Sequence, residues 1–408
     1  MRIILTNCTV IDCTGKASME DMTVVIEGEK IAGLKPGVYQ PAVEEEEVRV
    51  FDLEGGYVLP GLWAVHTHVG AIFPDAKRLT FRESTADRTI RAGRNTMDAL
   101  RVGITGIRVV GEQDYIDVAW KRAFDTGVFV GPRLFVCGNA IIATGGHGHG
   151  LAGCLEVDGP YDMRKAVREQ LKHGVDQIKL CVTGGVATAG ETMQESQLFL
   201  DEIQAATEVA HQKGKRVCVH AGGPGGIKTA IRGGVDCVEH GYYLDDEAIE
   251  MMAEEGTFYV PTMFVTQYKE FMRKSGMFEY QIEKAKGAAE AHREGFRKAL
   301  EAGVKIACGA DSSPIGEHTL VEIEQLVKAG MTEMEALMAA TRTSADLCGV
   351  ADQLGTVEVG KLADLIAVSA DPLEDISNVR ELKLVLKGGK LVDTKEPEGL
   401  ADFWELFF

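Results

Sequence analysis

With 408 residues, 45% of them hydrophobic, the chain can bury a large core and form two or three domains, or one large barrel with an addition. Its 62 acidic against 43 basic residues give a formal net charge of −19, which repels a polyanion and argues against nucleic acid as a partner. Without a run of about 18 apolar residues, neither a membrane span nor a secretory leader is expected. The nine cysteines, odd in number and lacking C-x-x-C, read as reduced thiols of a cytoplasmic protein.

In chain order, residues 1 to about 57 alternate short β-patterned runs: "IILTNCTVID", "MTVVIEGEKIAGL" and "VRVFDLEG". A different regime begins at "LWAVHTH" (62–68). Short apolar, β-branched runs then recur, each followed by a polar loop and a segment of helical period. They are "TGIRVVG" (105–111), "RLFVCGN" (133–139), "QIKLCV" (177–182), "RVCVHA" (216–221), "CVEHG" (237–241), "FYVPT" (258–262) and "KIACGAD" (305–311). Helices are predicted over 161–174, 200–214 and 244–256, each opening near an Asp and closing at Gly.

Eight buried strands alternating with helices predict an α/β chain with a (β/α)8 TIM barrel over 58–352. Residues 355–392 return to short strands ("GTVEVG", "DLIAVSA", "KLVLKGGKLVD") that pair with the N-terminal ones. The expectation is a small composite β-sandwich built from 1–57 plus 353–408. The tail "FWELFF" (403–408) either packs on its own domain or makes a subunit contact, and a homo-oligomer is expected.

Active groups of such a barrel sit at the carboxyl ends of its strands. His66 and His68 close the first strand, and residues two apart share a strand face, so both imidazoles can point to one ion. Lys179 lies in the fourth strand, His220 ends the fifth, His240 the sixth and Asp311 the eighth. Convergence of these groups at one mouth predicts a divalent metal site, with zinc the natural fit for imidazoles and a carboxylate. The lysine is the odd member. Its ammonium would repel a cation, whereas a carbamate formed with carbon dioxide offers two oxygens that can bridge two ions.

This pattern resembles the amidohydrolase superfamily, from "VLPGLWAVHTH" to "GTVEVGKLADLIAVSADP", which is almost the whole chain. "GPRLFVCGNAI", "TGGHG", "DQIKLCVTGGVAT", "VEHG" and "VPTMF" are similar to the prolidase-like group of Xaa-Pro dipeptidases and N-acyl amino acid hydrolases. The resemblance implies that His66, His68 and Asp311 hold one metal ion, His220 and His240 a second, and that carboxylated Lys179 bridges them. It implies hydrolysis of a small amide or dipeptide by a hydroxide shared between the ions. Asp311 would carry the proton from that hydroxide to the leaving nitrogen. His147, in "TGGHGHG", matches the family position that touches the substrate carbonyl or carboxylate, which gives it a catalytic and substrate-binding role.

One departure bears on the substrate. The family commonly continues after the fifth-strand histidine with Ala and Tyr, but this chain reads "HAGGPGGI". Tyr242 or Tyr243 is the expected replacement phenol, and Lys77, Arg78 or Arg82 the expected cation. Of the remaining histidines, His149 matches no family position, His173, His211 and His292 are expected on helix surfaces, and His318 is expected beside the ligands. A one-metal deaminase or cyclic amidine hydrolase would carry H-x-x-E after the fifth strand; Gly223 stands at that Glu position, and Lys179 also speaks for two metals. Cyclic amide hydrolysis by a two-metal site stays open. A catalytically silent binding protein would have lost ligands, and none is missing.

Overall fold

The computed structural model describes residues 2–39, 48–70, 83–150, 153–269, 272 and 277–395. Lys77, Arg78, Arg82 and the tail 403–408 lie outside the described residues. The architecture is α/β, with one mostly antiparallel sheet from the two ends of the chain and two parallel sheets between.

Arg2–Val10 runs antiparallel to Met19–Glu27 and parallel to Val48–Asp52 and Tyr57–Pro60. Met19–Glu27 turns back at Gly28 into Lys30–Pro36. From the other end, Leu365–Val368 pairs with Tyr57–Pro60 and with Leu382–Lys387, whose hairpin onto Lys390–Leu391 turns on Gly388 and Gly389, both at positive φ. The period of two is visible in the core: Ile3 and Leu5, Val24 and Ile26, Leu365 and Ala367, Leu384 and Leu386 all enter one apolar cluster. The two ends therefore share one eight-stranded sheet, where a sandwich of two layers was expected. "GTVEVG" forms no strand, because the Val357 and Gly360 N–H groups bond singly to the Asp12 and Ile31 carbonyls.

The middle of the chain departs from one closed eight-stranded sheet. Leu62–Thr67, Ile104–Val109 and Arg133–Phe135 form a three-stranded parallel sheet. Cys154–Glu156, Ala140–Ile142, Gln177–Cys181, Arg216–Ala221, Cys237–His240 and Phe258–Val260 form a six-stranded one. The first break has a local cause: the Cys137 and Gly138 N–H groups donate to the buried Asp117 carboxylate (3.1 and 2.9 Å), and Gly138 sits at φ 64°. The second break is at 305–311, which makes one bridge, Ile306 to Tyr259. Its bonds are divided: Ala307 donates to Tyr259, the Cys308 carbonyl accepts from Val65, and the Cys308 N–H goes to Ala339. A Cβ at Gly309 would lie 2.4 Å from the His66 nitrogen, so only glycine lets this segment lie against the first strand.

The helices observed are Gly159–Lys172, Leu200–His211 and Asp246–Glu255, close to the expected spans. Asp245 caps the last of these by accepting from the Ala248 N–H, and Gly256 ends it at φ 68°. His292 corrects the expectation of a surface residue. On the helix Glu279–Glu301 the residues Gln281, Ala285, Ala288, His292, Phe296 and Ala299 recur every three or four positions and form its buried face. The His292 ring bonds Thr266 Oγ1 at 2.7 Å, and burial pushes its pKa down to about 4. His173 and His211 are exposed, as expected.

A second buried ionisable group makes stability depend on pH. Glu322, fully buried on the helix Ile315–Ala329, accepts the backbone N–H groups of Met263 and Phe264 (2.8 and 2.6 Å) and so secures the turn after Phe258–Val260. Burial pushes its carboxyl from 4.5 up to about 8, against the pull of those two bonds. Between these values the folded protein holds a proton that the unfolded chain has released, so stability falls as pH rises. Wild type should lose on the order of 3–5 kcal/mol between about pH 5 and pH 8 relative to Glu322→Gln. Equal pH slopes in equilibrium unfolding of the two proteins would refute this.

Candidate metal centre

The first strand delivers two imidazoles because its pairing with Ile104–Val109 shifts register between Ala64 and Thr67, a local irregularity that re-aims side chains. His66 is buried. Its Nδ1 meets Glu239 Oε2 at 2.7 Å, and its Nε2 lies 3.5 Å from Asp311 Oδ1. His68 Nδ1 donates to the Gly111 carbonyl at 2.7 Å, and its Nε2 lies 3.4 Å from the same Asp311 oxygen. With both Nδ1 atoms committed to acceptors, the Nε2 atoms face the carboxylate. The ligand atoms of His66, His68 and Asp311 lie within 4.8 Å of one another, a spacing suited to a metal ion.

Two candidate ligands of this centre take left-handed backbone, as does Thr262 beside them. Asp311 stands at φ 52°, its N–H donating to the His66 carbonyl at 3.0 Å. His240 stands at φ 72° directly after Glu239. In a straight strand these neighbours would face opposite ways, yet Glu239 bonds His66 and the His240 ring lies 4.8 Å from the His66 ring. Each such conformation costs about 1–3 kcal/mol and is characteristic of functional sites.

His240 Nδ1 bonds Thr262 Oγ1 at 2.8 Å, leaving Nε2 free, and its ring lies 4.5 Å from that of His220. His220 Nε2 bonds the Gly184 carbonyl at 3.2 Å, so here Nδ1 is the available nitrogen. Burial, reinforced by the surrounding histidines and Lys179, holds both pKa values well below the usual range, so the rings are neutral donors. Burial alone would raise the Asp311 carboxyl, but His66 and His68 more than reverse this and keep it ionised.

Lys179 is 3% exposed, and its Nζ has no hydrogen-bond partner among the described residues. Burial opposes its charge, and Glu239 and Asp311 outweigh that opposition. Neutral imidazoles and a carboxylate form a donor set that suits divalent ions, and the buried Lys179 ammonium interacts with it.

The other expected site residues are placed unevenly. His147 stacks on His220, ring centroids 4.0 Å apart at 15°, and so lies at the centre. Tyr242 is 2% exposed and stacks on His240 at 5.2 Å. Tyr243 packs on the apolar cluster of Val186, Met193 and Val265. His149 is exposed, and His318 bonds Ser312 Oγ and packs at a tilt against the Phe264 ring. Four supporting residues were not foreseen: Glu239, Arg108, Thr262 and Glu191. Only Glu239 left a local signal, as the acid beside the histidine in "VEHG".

Comparison with known proteins agrees with this geometry. The amidohydrolase family profile matches residues 57–392. The chain is 32% identical over 364 residues to ochratoxinase of Aspergillus niger, covering 82% of this chain and 75% of that protein. The structure is similar to that of a Xaa-Pro dipeptidase with methionine bound in its active site (TM-score 0.88, 34% identity, 96% of this chain and 100% of that one). It is also similar to a prolidase complexed with N-methylphosphonate-L-proline (TM-score 0.88, 30% identity, 96% and 99%). The histidine pair, the strand-end ligands and a match spanning most of the sequence lead to one conclusion: the chain belongs to the amidohydrolase family and is a hydrolase of carbon–nitrogen amide bonds.

Proposed function

We propose that the protein is a two-metal amidohydrolase acting on a small dipeptide of the Xaa-Pro kind or an N-acyl amino acid. The observation that carries this reading is the Lys179 amine, buried without a hydrogen-bond partner among the described residues and interacting electrostatically with His220, His240 and Asp311. Carboxylation would convert it into an anion with two oxygens, which matches both its isolation and the anionic ligands a metal pair needs. The prolidase and the Xaa-Pro dipeptidase among the similar structures support the substrate class.

In this reading His66, His68 and Asp311 would hold one ion and His220 and His240 the other, with carboxylated Lys179 as a further ligand. Two divalent ions, zinc foremost, would supply Lewis acidity and a water of lowered pKa. Glu239, Gly111 and Thr262 keep His66, His68 and His240 turned with Nε2 inward. Asp311, ionised and between the two first-strand histidines, takes the proton of the attacking water and delivers it to the amide nitrogen, since an amide expels its amine only once protonated. His147 faces the substrate carbonyl or carboxylate. Tyr242 backs His240, and Tyr243 with its apolar neighbours borders the substrate side. The same proposal takes 58–352 as one barrel with a composite domain from 1–57 plus 353–408, in a homo-oligomer of the reducing cytoplasm.

The test is elemental analysis paired with intact mass, on protein expressed with added zinc and bicarbonate. About two ions per chain, a labile gain of one carbon dioxide, and chelator-sensitive turnover in a dipeptide and N-acyl amino acid library are expected. One ion on an unmodified lysine would overturn the reading and direct assays to cyclic amidines and aminated heterocycles.

A further inference from the structure

His147 is held by a device that its own loop does not contain. Glu191 lies 44 residues further on, its carboxylate 6% exposed. Oε1 accepts from both His147 Nδ1 (2.5 Å) and the Gly185 N–H (2.8 Å), while Oε2 accepts from Gln197 Nε2 (3.2 Å). Gln197 turns its own oxygen to the His147 N–H at 2.8 Å, so two side chains secure both the ring and the backbone of His147.

The space around this pair is equally specific. A Cβ at Gly185 would lie 2.4 Å from His147 Cε1 and 2.7 Å from His220 Cε1. Glycine there lets the carboxylate reach the backbone while the two rings stay stacked. From the opposite side Lys284 Nζ donates to the Gly185 and Thr188 carbonyls (3.0 and 2.7 Å), which anchors the segment.

We infer that Glu191 is the positioning residue of His147: by accepting from Nδ1–H it sets the ring's rotation and tautomer, so that Nε2 is the atom presented to the substrate. The inference rests on the reading of His147 as a substrate contact. An imidazole left to itself exchanges its proton between two nitrogens and can turn over about its ring axis. An ionised carboxylate can only accept, so the nitrogen facing it must carry hydrogen. With Nδ1–H fixed on Glu191, Nε2 meets a substrate carbonyl or carboxylate as the second N–H of an imidazolium, or a substrate N–H as the acceptor of the neutral ring.

The experiment uses the full-length zinc-loaded protein with 15N-labelled histidine, His147 being assigned by its loss in His147→Asn. Two-bond proton–nitrogen correlation should show Nδ1 protonated in wild type and that preference lost in Glu191→Ala, with metal content unchanged. On the dipeptide that wild type turns over, kcat/KM of Glu191→Ala should fall about 10–100-fold, the usual effect of removing an outer partner. The double variant Glu191→Gln/Gln197→Glu keeps an acceptor for Nδ1–H and restores a donor–acceptor pair between the two side chains. It should recover the tautomer and most of the rate. An unchanged tautomer in Glu191→Ala, a rate loss that only follows metal loss, or a folded double variant without recovery would each overturn the inference. The tautomer is read without any substrate, so a failure of the proposed reaction and a failure of the positioning role remain distinguishable.

Discussion

Replacing Glu239 with methionine is expected to destabilise the metal-free protein by about 3–5 kcal/mol, the cost of stranding a buried charge. The stranded group is the Arg108 guanidinium, 1% exposed, whose Nη2 donates to Glu239 Oε1 at 2.6 Å. Burial alone would raise the Glu239 carboxyl, but Arg108 and His66 reverse this and hold it well below the carboxylate range. The other carboxylate oxygen takes His66 Nδ1, so the same change frees the His66 ring and should weaken metal binding about 10–100-fold. Arg108→Met/Glu239→Met separates the two effects. With no charge left in the pair, part of the stability should return, since apolar replacement of a buried ion pair is often tolerated. Metal affinity should stay low, because His66 still lacks its carboxylate. Denaturant unfolding of metal-free protein and chelator competition read these quantities. A single variant that matched wild type in both would end the argument.

Lys179→Ala is expected to lower turnover by more than about 100-fold, the upper end for partners one step removed from a metal. The reason is the chemistry of the position: among the described residues no side chain accepts from the Lys179 amine, Glu239 and Asp311 favour its cation, and loss of that proton would free the amine to add carbon dioxide as a carbamate. Two consequences follow that a merely structural lysine would not show. Metal uptake by metal-free wild type should be faster with bicarbonate, while uptake by the alanine variant should ignore it. A short-chain carboxylic acid should restore part of the activity of Lys179→Ala by entering the vacated space as the missing anion. Bicarbonate-independent uptake in wild type, or full turnover in the variant, would remove Lys179 from the metal site.

Much of the candidate site was legible because its candidate ligands mark the ends of short strands. His66 and His68 need only the two-residue period of a strand to share a face, and His220 closes a run of β-branched residues. The partners of these ligands were not legible. His66 and Glu239 are 173 residues apart, and Arg108 and Glu239 131 apart, so no local period relates them. Likewise nothing in "CVEHG" announces that His240 takes left-handed backbone and brings two consecutive side chains into one site. His292 was misplaced for a related reason. Helical spacing groups it with Ala285, Ala288 and Phe296, but which face of a helix is covered depends on what packs against it.

The sequence by itself determined the local elements, the amidohydrolase resemblance and the set of six candidate ligands, because turn chemistry, period and residue type act over a few positions. Tertiary structure decided the rest. It divided the parallel strands where Asp117 captures two backbone N–H groups, and chose which imidazole nitrogen faces inward. Those choices come from hydrogen bonds and buried charges between residues remote in sequence, which only the packed chain brings within reach.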